Sequence, residues 1–203
     1  MKLLHIDSSI LGPYSASRVL SAAIVEAQRA LHPGLQVVYR DLAVENPPHL
    51  TGAHVAAWRG APVADAALAA DLAHGEAYIA DLFAADLVVI GAGMYNFGIP
   101  SQLKSWIDRV VVAGKTFRYG PTGQPESLLP PGKKVFLALA RGGKYFQTPM
   151  AAFDHQETYL LGVLGFLGMT NVTTIRAEGL AMGPEARDAS LAAALAEVAA
   201  LAA

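Results

Sequence analysis

With 203 residues, 53% of them hydrophobic and only 16% charged, the chain has the length of one domain with a full core and fewer charges than an ordinary soluble domain carries. Its formal net charge of −2 and pI near 6.3 leave no footprint for nucleic acid, and no apolar run approaches the ~20 residues of a membrane span. The absence of cysteine excludes disulfides, thiolate nucleophiles and cysteine-ligated iron–sulfur clusters, so electron chemistry falls to an organic cofactor. The low charge points to extra buried surface, most simply an oligomer interface. Met1-Lys2-Leu3-Leu4 meets His5 and Asp7 too soon for a signal peptide, and a cytoplasmic protein is expected.

In chain order, Leu3 to Asp7 reads as the first strand. Ser15 or Ser17 caps a helix whose Leu20, Ile24, Ala27 and Leu31 share a face, and Pro33-Gly34 stops it. Leu35 to Leu42 is the second strand. Asn46-Pro47-Pro48 opens a long loop to about Pro62, followed by a helix carrying Leu68, Leu72, Ile79, Leu82 and Phe83. Leu87-Val88-Val89-Ile90-Gly91-Ala92 is a third strand, apolar on both faces as in a parallel sheet. It breaks into Gly93-Met94-Tyr95-Asn96-Phe97-Gly98, and Leu103, Trp106, Ile107, Val110 and Val111 then recur at helical spacing. Lys115 to Lys134 is rich in turn residues. Val135 to Ala140 is the fourth strand, Ala152 to about Met169 a helix, Val172 to Arg176 the fifth strand, and Glu185 to Ala200 the closing helix.

Strands alternating with helices predict one α/β domain over residues 1–203, a three-layer sandwich around a five-stranded parallel sheet. No G-x-G-x-x-G follows the first strand, so the flavodoxin-like order 2-1-3-4-5 fits better than a dinucleotide fold. In that order the loops after strands one, three and four meet at one edge. The first, Ser8 to Arg18, leads hydroxyls into a helix N-terminus, a setting for a phosphate or for ordinary N-capping. The second offers Tyr95 and Phe97 as apolar faces, with Asn96 and backbone N–H groups for heteroatoms; alternatively it packs on the sheet end. The third, Ala140-Arg141-Gly142-Gly143, permits positive φ and close backbone approach, or makes a simple turn. Together the three describe a phosphate site, a ring platform and a glycine clamp, and the ligand they fit is flavin mononucleotide, FMN.

Two long loops, one with His49, His54, Trp58 and Arg59 and the other with Phe117, Arg118 and Tyr119, read either as lids or as pinned surface loops. Tyr159 to Met169 is apolar all round and carries Gly162, Gly165 and Gly168, which suggests a helix buried on every side, within the chain or across a dimer. The six histidines show no metal spacing.

Ser8-Ser9 with Ser15-Ala16-Ser17, Met94-Tyr95-Asn96-Phe97, Gln102-Leu103-Lys104, Thr116-Phe117-Arg118-Tyr119, Arg141-Gly142-Gly143, Leu164-Gly165-Phe166 and Ala177-Glu178-Gly179 stand in an order that resembles the bacterial FMN-dependent NADH:azoreductase family, whose members also reduce quinones. The pattern departs at Gly93, where the family has proline, and at Ala140, where it has serine. The resemblance implies a homodimer with FMN at the interface. By carry-over Ser9, Ser15, Ala16 and Ser17 hold phosphate and ribityl, while Met94, Tyr95, Asn96, Phe97, Ala140, Arg141, Gly142 and Gly143 hold the ring. Arg59, Tyr119 and Phe166 shape the substrate pocket, some from the partner. The implied reaction is ping-pong hydride transfer from NADH or NADPH through flavin N5 to small aromatic acceptors, quinones or azo compounds. No side chain is assigned as acid or base. A flavodoxin-like electron carrier, or a redox-controlled binding protein without turnover, is the alternative.

Overall fold

The computed structural model describes residues 1–201, so the last two positions of the 1–203 domain lie outside it. In chain order the elements are β1 (Lys2–Asp7), α1 (Ala16–Leu31), β2 (Gln36–Asp41), a one-turn α2 (Leu42–Glu45), α3 (Gly52–Trp58), α4 (Ala66–Ala84), β3 (Leu87–Gly93), α5 (Ser101–Val110), β4 (Phe117–Tyr119), β5 (Pro125–Ser127), β6 (Lys134–Ala140), α6 (Glu157–Phe166), β7 (Asn171–Ala177) and α7 (Pro184–Ala200).

The main sheet is wholly parallel, in the order β2-β1-β3-β6-β7. The expected order 2-1-3-4-5 therefore needs a correction. It describes the five sheet strands counted among themselves, but Lys115 to Lys134, read as turns, supplies β4 and β5, which pair antiparallel outside that sheet. The hairpin forms because Phe117 buries its ring against Phe166, 4.7 Å between centroids, while Arg118 and Glu126 pair across it at 2.8 Å.

Strand alternation divides the core in two. Leu4, Ile6, Val88, Ile90, Val135 and Leu137 face one side, where Ile79 and Leu82 of α4, Trp106 and Ile107 of α5, and Leu160 of α6 cover them. Leu3, Val89, Phe136 and Ala138 face the other, beneath Leu20 and Ile24 of α1 and Val198 of α7. β1, β3 and β6 are buried along nearly their whole length, whereas β2 and β7 are half-exposed edges. Between β1 and β3 the chain's direction across the sheet reverses. That is the switch point where open α/β sheets leave a crevice at the strands' carboxyl ends.

Two further expectations change. The loop from Asn46 to Pro62 holds helix α3, and it is pinned: His54 lies 2.7 Å from Asp71, which also pairs with the buried Arg109. The helix expected from Ala152 begins only at Glu157, because Pro149–Phe153 forms a separate 3-10 turn and Asp154 accepts the Gln156 and Glu157 N–H groups at 3.1 and 3.0 Å.

Candidate functional site

The first wall of the site is the entry to α1. Ser15 is its N-cap, accepting the Arg18 N–H at 3.3 Å, and its hydroxyl lies 3.0 Å from that of Ser17. The Ala16 and Ser17 N–H groups donate to nothing among the described residues. They are the unpaired donors that every helix N-terminus carries beside its positive dipole end. A close approach sets α1 against β3: a Cβ on Gly91 would lie 2.4 Å from Asp7 Oδ1 and 3.2 Å from the Ser17 carbonyl.

Arg18 locks this wall in place. Its guanidinium grips both Asp41 oxygens at 2.7 and 2.6 Å and donates to the Ser9 carbonyl at 3.2 and 2.9 Å. The Arg18 guanidinium beside Asp41 holds that carboxyl below the usual carboxylate range. The nearby Tyr39 phenol is pushed up to about 12, first by burial and then by the Asp7 and Asp41 charges. Sequence reasoning assigned Arg18 no role. The available signal was a cation in the first turn of a helix, where the dipole disfavours one.

The second wall follows β3. The Met94 N–H continues the ladder to the Ala140 carbonyl at 2.8 Å, and Tyr95 and Gly98 exchange hydrogen bonds at 3.0 and 3.1 Å around Asn96 and Phe97. Both turn residues have positive φ, 46° and 71°. This is the two-residue hairpin geometry usually met with Asn-Gly. A phenylalanine there costs on the order of 1 kcal/mol, yet its ring is 42% exposed, beside Phe153 at 5.5 Å and Tyr145 at 6.4 Å. Replacing Phe97 with glycine is therefore expected to change stability toward urea by less than about 1 kcal/mol, relief of the positive φ offsetting the lost ring packing, while weakening ring binding at the site. A variant that binds its ring ligand as well as the parent would make Phe97 mere covering. Tyr95 turns back to Ser9, hydroxyl to hydroxyl 3.3 Å. At Gly93 a Cβ would meet the Tyr95 ring at an ordinary 3.5 Å, so close approach does not demand glycine there.

The third wall follows β6. Of the readings left open for Gly142 and Gly143, positive φ does not apply, since neither adopts it. Space explains them instead: a Cβ would lie 3.3 Å from Ala181 Cβ at Gly142 and 3.2 Å from the Tyr145 ring at Gly143. Their carbonyls accept from Ala181 and Gly179, at 3.0 and 2.8 Å, and their N–H groups donate to nothing among the described residues. Arg141 lines the cleft and also has a structural part that the sequence did not suggest. Its guanidinium is fully buried among Asp154, Glu157 and Glu178 at 2.9, 2.9 and 2.7 Å, and these carboxylates occupy it as an anchor for the loop. Glu178 also accepts the Tyr145 and Phe146 N–H groups, at 3.1 Å each.

The three walls enclose a cleft of about 220 Å³ that Ser9, Ser15, Ala16, Met94, Tyr95, Ala140, Arg141 and Gly142 help to line. Ser17 lies buried behind the first wall, while Asn96, Phe97 and Gly143 continue the second and third. Arg59, Tyr119 and Phe166 do not line it; Tyr119 and Phe166 instead flank Phe117, at 5.5 and 4.7 Å. Tyr14, Leu180, Ala181 and Arg187 line the cleft and were not foreseen. Arg187 donates to the Tyr14 carbonyl at 3.2 Å across 173 positions of sequence, a distance no local pattern spans. Among the described residues no His, Asp and Glu group has the makings of a metal site, and no helix is long and apolar enough to cross a membrane.

A family model described as "Flavodoxin-like fold" matches residues 1–202. The chain is 54% identical over 192 residues to the FMN-dependent NADH:quinone oxidoreductase of Rhizobium meliloti (strain 1021), covering 95% of this chain and 92% of that one. It is 56% identical over 196 residues to the protein of the same name from Ralstonia nicotianae, covering 96% and 93%. Among solved structures, an azoreductase from Bacillus anthracis str. Sterne matches with a TM-score of 0.87 and 31% identity over 100% of this chain and 98% of that one. An FMN-dependent NADH-azoreductase from Bacillus anthracis str. Ames Ancestor, solved in complex with FMN, matches with a TM-score of 0.85 at 22% identity over the whole of both chains, a likeness of fold.

Proposed function

Since the chain belongs to the flavodoxin-like family that includes the FMN-dependent NADH:quinone oxidoreductases and azoreductases, we propose that it is an FMN-dependent NADH oxidoreductase of quinones and aromatic azo compounds. The observation that carries this reading is the meeting of three loops in one cleft at the sheet's switch point, two of them with unpaired backbone donors. The fit to FMN is chemical. The Ala16 and Ser17 N–H groups, with the Ser9 and Ser15 hydroxyls, offer donors to a phosphate. Met94 to Phe97 offer a platform and an aromatic face. The Gly142 and Gly143 N–H groups offer donors to the N1–O2 edge of a flavin, where negative charge collects on reduction. The chemistry FMN supplies when bound is two-electron hydride transfer, taken from NADH and passed, in ping-pong order, to the acceptor.

The protein's own part is positioning. Arg18 and Asp41 hold the Ser9 loop, the Arg141 cluster holds the glycine loop, and the paired hydrogen bonds of Tyr95 and Gly98 hold the aromatic turn. No side chain is given a proton-transfer role. Steady NADH oxidation with menadione as acceptor tests the reading. Bound flavin without turnover would favour the electron carrier instead.

A homodimer in the cytoplasm completes the proposal. Helix α6 is buried on one side only: Leu161 is exposed, and a Cβ on Gly162 or Gly165 would meet nothing within 4 Å. Packing within the chain therefore gives no reason for these glycines, each of which costs the helix about 1 kcal/mol against alanine. A second copy seated on this face supplies one, and would bring Arg59, Tyr119 or Phe166 of one protomer toward the cleft of the other. Gly165→Trp is expected to convert dimer to monomer in light scattering and to remove the rise of melting temperature with protein concentration that a dimer shows. An unchanged dimer would place the interface elsewhere.

A further inference from the structure

We propose that Arg187, in the first turn of α7, is a phosphate-binding residue of the cleft, an inference that rests on the flavin mononucleotide reading above. It lines the cleft together with Ser9, Tyr14, Ser15 and Ala16, the wall that ends in the unpaired donors of α1. One Nη2 hydrogen is fixed on the Tyr14 carbonyl at 3.2 Å, directly before the Ser15 cap. That contact ties α7 to the loop before α1 and leaves four of the five guanidinium N–H groups without a partner among the described residues.

The cleft has two lining cations, Arg141 and Arg187. Arg141 is neutralised by Asp154, Glu157 and Glu178, and the adjacent Arg18 is neutralised by Asp41. Arg187 has no carboxylate within ion-pair distance among the described residues, so it is the cation left uncompensated at this end. Like Arg18 it sits in the first turn of its own helix, where the dipole disfavours a positive charge. A dianionic phosphate beside it supplies the missing counter-charge, and a planar guanidinium suits two phosphate oxygens at once.

The test compares FMN with riboflavin, which lacks only the phosphate, by quenching of flavin fluorescence on titration with the full chain. The parent is expected to prefer FMN. Arg187→Gln should lower FMN affinity about 10- to 100-fold and leave riboflavin affinity unchanged, with Arg187→Lys intermediate. The salt dependence of FMN binding should weaken in Arg187→Gln. Unchanged FMN affinity in that variant, or an equal loss for both flavins, would overturn the proposal and make Arg187 a solvated or packing residue. A parent that binds riboflavin as tightly as FMN would also overturn it while sparing the flavin site. A parent that binds neither flavin would overturn the cofactor reading, and this inference with it.

Discussion

Arg141→Met should destabilise the fold by about 3–5 kcal/mol in urea unfolding, the cost of leaving buried charge uncompensated. The side chain is wholly buried, bonded to Gln156 Oε1 at 3.0 Å and surrounded by Asp154, Glu157 and Glu178. Glu157 keeps Arg176 as a partner, but the loop from Arg141 to Phe146 loses its anchor, because Glu178 then holds the Tyr145 and Phe146 N–H groups without its 2.7 Å ion-pair partner. The effect should depend on pH in a defined sense. Burial pushes the Glu157 carboxyl up, but Arg176 and Arg141 outweigh it and hold the group below its usual 4.5. A carboxylate with a depressed folded pKa contributes stability above about pH 4.5 and loses it as pH falls through the depressed value. The parent therefore weakens in acid, whereas the variant has less of this contribution to lose, and the gap between them should narrow below that pH. A loss under 1 kcal/mol at neutral pH, or a gap that widens in acid, would show that the cluster is not what holds the glycine loop.

Ser15→Asp should lower FMN affinity at least 100-fold and spare riboflavin. Aspartate caps a helix as well as serine does and suits the positive end of α1, which offsets the desolvation of a carboxylate at the buried Ser15 position, so the variant without flavin should stay folded with about the parent's stability. A bound phosphate, however, would then face a carboxylate. At ~4 Å and an effective dielectric near 20, each pair of unit like charges costs about 4 kcal/mol, and screening leaves a large part of that. Isothermal titration with each flavin measures the difference. Equal affinities of parent and variant for FMN would remove the α1 terminus from the phosphate site.

The layered sheet was legible because strands covered on both faces leave a continuous apolar run, as Leu87 to Ala92 does. The small hairpin was hidden by its own composition: Pro125, Gly120 and Gly123 read as turns, and only Phe117's packing on Phe166 shows why strands form around them. The three loops were legible as neighbours, since their place follows from strand order alone. What each residue does there was less so. Gly142 and Gly143 were read for positive φ, close approach or a simple turn, and only the structure shows that the close approach of Ala181 and the Tyr145 ring decides among these. The carboxylates around Arg141 come from two separate stretches, 13 to 37 residues away, and local pattern does not report such a cluster. Phe97's positive φ was invisible for the same kind of reason: the reciprocal bonds of Tyr95 and Gly98 impose it, against the residue's own preference. The exposed side of α6 could not be told from a core side, because Leu161, Gly162 and Gly165 carry no polar group to mark it.

The most direct test of the account is the flavin itself. Protein purified without added cofactor, or supplied with excess flavin and then desalted, should release one FMN per chain on denaturation, with FMN rather than FAD identified by chromatography. A colourless chain that takes up no FMN when it is offered would contradict the account at its centre.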